Sequence, residues 1–231
     1  MRRFWKKVET VPGEDGGYAL LLDGKPVRTP GRAPLALPTP QLAEAVAEEW
    51  RAVGEAVDPR AMPLTGLANA AIDRIAPARE AFAAGLAKYG ESDLLCYRAS
   101  DPAPLVARQA AHWDPLLDWA RRRYDVHFEV AAGVIHRPQP EATLARLHDA
   151  VAALDPFRLA GLSHVVTVSG SLVGALALAE GQANGETLWR AAQVDEDWQV
   201  EHWGDDPHAL RTREAHQADF EAGVRFLSLL S

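Results

Sequence analysis

The chain has 231 residues, enough for one large domain or for a small domain beside a medium one. Hydrophobic residues make up 48% and charged residues 24%, a balance that fits a packed core and excludes wholesale disorder. The 32 acidic residues outnumber the 24 basic ones, for a net charge of −8, which argues against nucleic-acid binding, where cations on phosphates supply most of the affinity.

The opening Met1-Arg2-Arg3-Phe4-Trp5-Lys6-Lys7 resembles a twin-arginine start, but Glu9, Thr10, Pro12 and Gly13 follow where an export signal needs an apolar stretch. The expectation is therefore a protein without a targeting peptide, its basic residues solvated at strand ends. Val8 to Val11 and Tyr18 to Leu22 read as strands around a Gly-rich turn. Asp23-Gly24 signals a two-residue type I′ hairpin into Pro26-Val27-Arg28, and Pro26, lacking a donor, belongs on an edge strand. Pro34 to Leu37 is a further short strand. From Thr39 the period changes to 3.6: Leu42, Ala45, Val46, Glu49, Trp50 and Val53 mark one helical face, with Thr39 as cap, Pro40 at the first position and Gly54 at the end.

Asp58-Pro59 and Met62-Pro63 then interrupt the pattern. Downstream, Asp101-Pro102, Asp114-Pro115, Asp155-Pro156 and Asp206-Pro207 each read as a helix start, a carboxylate accepting orphan N–H groups beside a proline that has none. Helical spacing recurs in Phe82, Leu86 and Tyr89, in Leu144, Leu147, Val151 and Leu154, and in Phe220, Val224 and Leu227. Val126 to Ile135 reads as an extended connection. Leu159 to Ala179 carries no Asp, Glu, Lys or Arg; its serines, His164 and the spacing of Gly170 and Gly174 favour one buried central helix over a membrane span. The predicted class is α+β, with a β-rich domain bearing one helix over residues 1–60 and a helical domain over residues 61–231.

No phosphate loop, dinucleotide fingerprint or nucleophile elbow is present. Cys96, the only cysteine, permits no intrachain disulfide and sits in an apolar stretch without a cation to lower its pKa, the setting of a structural thiol. Glu201, His202, Asp205, Asp206 and His208 crowd into eight residues, and a metal-dependent hydrolase built on this Glu201–His208 cluster is the alternative function. Its spacing matches no metal motif, Gly204 and Pro207 interrupt any single helical face, and capping of the last helix explains Asp206. No metal or other cofactor is expected.

The most unusual segment is Asp195-Glu196-Asp197-Trp198-Gln199-Val200-Glu201-His202-Trp203-Gly204. On a helix Val194, Trp198 and Glu201 share one stripe, and a carboxylate beside a tryptophan needs a partner if it is buried. Two readings stand open. Glu201 joins an internal ion pair, for instance with Arg211, or it is a polar anchor beside aromatic contact surface supplied by Trp198 and Trp203.

A set of motifs in order along the chain carries a resemblance. They are Arg3-Phe4-Trp5-Lys6-x-Val8, Gly17-Tyr18 with Leu22-Asp23-Gly24-Lys25-Pro26-Val27, Ala47-Glu48-Glu49-Trp50 and Met62-Pro63-Leu64-Thr65-x-Leu67-Ala68-Asn69. They continue with Asp93-Leu94-Leu95-Cys96-Tyr97-Arg98, Gln109-x-x-x-Trp113-Asp114-Pro115, Ser169-Gly170-Ser171-Leu172 and Trp198-Gln199-x-Glu201-x-Trp203-Gly204. Together they resemble the assembly chaperones of the ATP synthase soluble head, the ATP-twelve family of mitochondria and alphaproteobacteria. Ala70 stands where a small hydroxyl residue is expected, a mild departure. The resemblance implies a chaperone that works without ATP, is not an enzyme, and binds the free alpha subunit until the beta subunit displaces it. It attaches function to Glu201; together with Trp198, Gln199, Trp203 and Asp195 of the same segment, Glu201 makes up the expected client-binding residues. Because the motif begins at residue 3, the expectation is a bacterial, cytoplasmic member; the eukaryotic relatives work in the mitochondrial matrix.

Overall fold

The computed structural model describes residues 2–13, 16–133, 136–204 and 206–231. The fold is α+β: a small antiparallel sheet near the N-terminus precedes a series of helices. The chain forms two compact units, one comprising Met1–Arg79, Asp155–Gly161 and Arg225–Ser231, the other Glu80–Leu154 and Leu162–Val224.

In the first unit, β1 (Val8–Pro12) pairs with β2 (Tyr18–Leu22) in a register that sets Val8 opposite Leu22 and Pro12 opposite Tyr18. Asp23 and Gly24 follow with φ of 48° and 78°, both positive as a type I′ turn requires. They lead into β3 (Lys25–Pro26), the terminal strand that tolerates a proline. β4 (Ala36–Leu37) also pairs with β2. Helix α1 (Pro40–Ala52) packs on β1 and β2, burying Leu42, Val46 and Trp50 with Leu20, Leu35 and Leu37 of the sheet region. Thr39 Oγ1 accepts the Leu42 N–H and caps α1. Glu49, half-buried on the same helix, accepts the N–H groups of Leu64 and Thr65, each at 2.8 Å, and so caps α2 (Pro63–Ala70). The two later segments complete this unit's core: the rings of Phe157 and Phe226 lie parallel, 6.3 Å apart, and Thr39 Oγ1 donates to the Leu229 carbonyl.

The second unit holds most of α3 (Arg79–Ala87), all of α4 (Ala103–Tyr124), α5 (Glu141–Ala152), α7 (Leu172–Ala179), α8 (Gly185–Ala192) and α9 (Val194–Trp203), and parts of α6 (Pro156–Ser169) and α10 (Pro207–Ser228). α4 packs against α7, α8 and α9, its buried face running through Gln109, Trp113, Leu116, Leu117 and Ala120. The extended connection after α4 contributes β6 (Ala131–Ala132), which pairs in parallel with β5 (Tyr97–Arg98). Val134 and Ile135 of that connection lie outside the described residues. Cys96 is buried, and burial together with the Asp93 carboxylate pushes its thiol up to about 12, so it stays protonated.

Two sequence expectations are corrected. Leu159 to Ala179 is not one helix: α6 ends at Ser169, Gly170 turns at φ 68°, and α7 starts at Leu172. The serines make the break, Ser169 Oγ accepting the Ser171 N–H and Ser171 Oγ accepting the Gly174 N–H. No helix of the described residues is long and apolar enough to cross a membrane. The Asp-Pro pairs also divide. Asp155 and Asp206 cap α6 and α10 through N–H groups of Phe157, Arg158 and His208. Asp101 does not cap α4, which begins two residues later with Pro102 in the capping position. Asp114-Pro115 lies inside α4 and starts no helix. Ala111, Asp114 and Pro115 are all exposed, so water reaches the carbonyl that the proline leaves without an N–H, and Asp114 binds Arg98 at 2.6 Å instead.

Candidate functional site

Helix α9 carries the residues singled out in the sequence. Asp195, Glu196 and Asp197 fill its first turn, where carboxylates oppose the positive end of the helix dipole. Gly204 closes it at φ 83°, its N–H donating to the Val200 carbonyl at 2.9 Å. Val194 is buried and faces the core, and the helix lies against α4.

The contact with α4 is polar and specific. Gln109 is 1% exposed, and its amide is used at both ends: Nε2 donates to Asp195 Oδ1 at 2.6 Å, and Oε1 accepts the Ala99 N–H at 2.8 Å. A buried amide left unmatched destabilises, so this glutamine fixes both α9 and the loop after β5. One turn further along, Trp113 Nε1 donates to the Ala191 carbonyl at 2.7 Å, and the Arg98 guanidinium stands 5.0 Å from the Trp113 ring. Arg108, preceding Gln109, binds Glu201 with two parallel bonds of 2.8 Å each. Its guanidinium also lies 5.1 Å from the centre of the Trp198 ring, on which His202 stacks at 4.0 Å. His202 Nδ1 donates to the Trp198 carbonyl at 2.8 Å, which holds that stack in place. Arg213 of α10 pairs with Asp197 at 2.6 Å. Arg108 holds the Glu201 carboxyl below the usual range, and Glu201 raises the Arg108 guanidinium in return; both groups are solvent-accessible.

Two grooves flank α9. The larger, about 960 Å³, is lined by Tyr97 to Pro102, Leu105, Gln109 and the α9 residues Asp195, Trp198, Gln199, His202 and Trp203. The smaller, about 410 Å³, lies toward α10 and is apolar around Val200, Trp203, Ala209 and Leu210. Trp203 borders both and is 76% exposed, an unusual exposure for the largest apolar side chain. Four of the five expected client-binding residues, Asp195, Trp198, Gln199 and Trp203, thus line one groove. Glu201 lines neither.

The ion-pair reading of Glu201 found the right chemistry and the wrong partner: Arg211 is exposed on α10, and the pair is made by Arg108. Sequence reading assigned no site role to Gln109, and it placed His202 only in the candidate metal cluster, not in the stack on Trp198. A single glutamine within the apolar face of α4 was the available signal for Gln109; nothing linear ties residue 108 to residue 201. Among the described residues the proposed metal cluster is not assembled. Glu201 is bound to Arg108, His202 to the Trp198 carbonyl, Asp206 to the His208 N–H, and Asp205 lies outside the described residues. Among the described residues no three His, Cys, Asp or Glu side chains are placed to hold a metal ion.

What these residues build is a fixed aromatic surface with carboxylates around it, of the kind that contacts another molecule. A family model described as ATP12 chaperone protein matches residues 2–121. The crystal structure of Atp12 from Paracoccus denitrificans is 46% identical, superposes with a TM-score of 0.94, and the match covers 100% of this chain and 98% of that one. A point mutant of the same Paracoccus protein matches at 45% identity with a TM-score of 0.95 over the same shares. A candidate chaperone from Agrobacterium tumefaciens is 42% identical, with a TM-score of 0.94, over 100% of this chain and 86% of that one. The chain belongs to the ATP12 chaperone family.

Proposed function

We propose that this protein is an ATP-independent chaperone of ATP synthase assembly, which binds the free alpha subunit of the catalytic head and keeps it from aggregating until the beta subunit takes its place. The observation that supports this reading is the exposed Trp203 between two grooves, in a member of a chaperone family. An orphan subunit presents an apolar interface that otherwise associates with copies of itself. A binder without a fuel acts on it by mass action, and release comes from a competitor for the same surface. Asp195, Trp198, Gln199 and Trp203 are the proposed contact residues, with Glu201 belonging to their support. The protein works as a binder and not an enzyme, in the cytoplasm of a bacterial cell.

The test is direct. Purified alpha subunit, warmed or diluted from denaturant, is followed by light scattering with and without this protein and without nucleotide. Protection near a one-to-one ratio is the expected result. Equal turbidity in both samples sinks the reading.

A further inference from the structure

Glu201 and Arg108 form a bidentate pair on the flank of α9, yet neither lines the larger groove nor the smaller one. What the pair does touch is the Trp198 ring, which lines the larger groove. A guanidinium is planar, and a carboxylate that takes two of its N–H groups fixes both its position and its plane. Held in that way, the cation rests against the electron-rich indole, an attraction that strengthens as the ring is shielded from water. His202, stacked on the same ring and bonded to the Trp198 carbonyl, restricts the ring further.

We infer that Arg108 is a positioning residue: Glu201 acts on the client through the Arg108 guanidinium and the Trp198 ring, not by touching the client. This rests on the chaperone reading above and assigns the parts of its surface. Trp198 is a pre-set wall, already in contact with Arg108 and His202. Trp203, whose only ring neighbour among the described residues is His202 at 6.0 Å, is the ring left for the client to cover. Pre-setting the wall lowers the ordering entropy lost on binding, which is how a residue outside the contact strengthens it.

A double-mutant cycle tests the assignment. Affinity for purified alpha subunit is measured for the wild type, Glu201→Ala, Arg108→Ala and the double variant, with Arg108→Lys as the conservative case. Each single alanine change is expected to weaken binding by roughly tenfold. The double variant should bind no worse than either one, because both remove the same clamp. Arg108→Lys keeps the charge but loses the planar fork, so it should weaken binding by a few-fold at least. The indole N–H resonance of Trp198, assigned by its loss in Trp198→Phe, should move in both single variants, as a client contact by Glu201 alone would not require. Losses that multiply in the double variant, or full binding by Arg108→Ala beside impaired Glu201→Ala, overturn the inference and leave the chaperone reading standing. Failure of the wild type to bind alpha subunit removes the chaperone reading itself, and this assignment with it.

Discussion

Asp93 shows how one side chain can hold two elements. It is fully buried; Oδ1 accepts the Leu95 N–H at 3.1 Å and Oδ2 accepts the Val173 N–H at 2.9 Å, so it caps both the turn before β5 and the start of α7. Burial raises its pKa to about 6 against these hydrogen bonds, which lower it. The folded state therefore binds the proton more tightly than the unfolded one. Stability from this group is full below about pH 4 and falls as pH rises toward 6, by on the order of 3 kcal/mol. Asparagine offers one acceptor where the carboxyl offers two, and turns an N–H₂ toward the other backbone donor. Asp93→Asn should lower unfolding free energy at pH 4 by about 1–3 kcal/mol, and the gap to wild type should narrow between pH 4 and 7 because the variant does not ionise. Urea titrations across that range check it; a gap that widens with pH would mean the carboxylate form is the one the fold requires. Neither this role nor that of Gln109 was legible in the sequence, because each depends on a backbone donor or carboxylate brought close only by the fold. Thr39, Asp155 and Asp206 were legible, since a cap acts on its own next turn.

The same locality decides what could be read for whole elements. The Asp23-Gly24 hairpin and α1 follow from turn chemistry and period, and both formed where expected. Pro115 misled because a proline's meaning depends on whether solvent reaches the carbonyl one turn back, which is a tertiary fact. The apolar run from Leu159 to Ala179 misled in another way: hydrophobicity reports burial but not continuity, and the break lies in Ser169, Gly170 and Ser171. Within α7, Gly174 is small for a packing reason. A Cβ there would stand 2.4 Å from Leu188 Cδ1 and 3.1 Å from Ser171 Oγ, and Leu188 is wholly buried. Gly174→Ala should destabilise by about 1–3 kcal/mol through overpacking despite alanine's better helix propensity, read as a lower midpoint in thermal unfolding. An unchanged or raised midpoint would show that α8 can shift to make room.

For the molecule as a whole, the absence of a nucleotide motif and the exposed α9 surface lead to one expectation about release. Client held by this chaperone should be freed by adding beta subunit in a dose-dependent way, while ATP alone should change nothing; size-exclusion chromatography of the mixture would distinguish the two. Release by ATP alone would point to a fuelled mechanism instead. The make-up of the first unit was the least legible feature, because it joins residues nearly two hundred positions apart, as Thr39 and Leu229 are joined. That make-up also orders events at the ribosome. The sheet and α1 are made long before Phe226, buried completely, and Leu230, nearly so, which belong to the same unit. Until those residues are made, the strand-bearing unit must wait with part of its apolar interior uncovered, so this protein passes through the very state of unmet association that it is proposed to relieve in another.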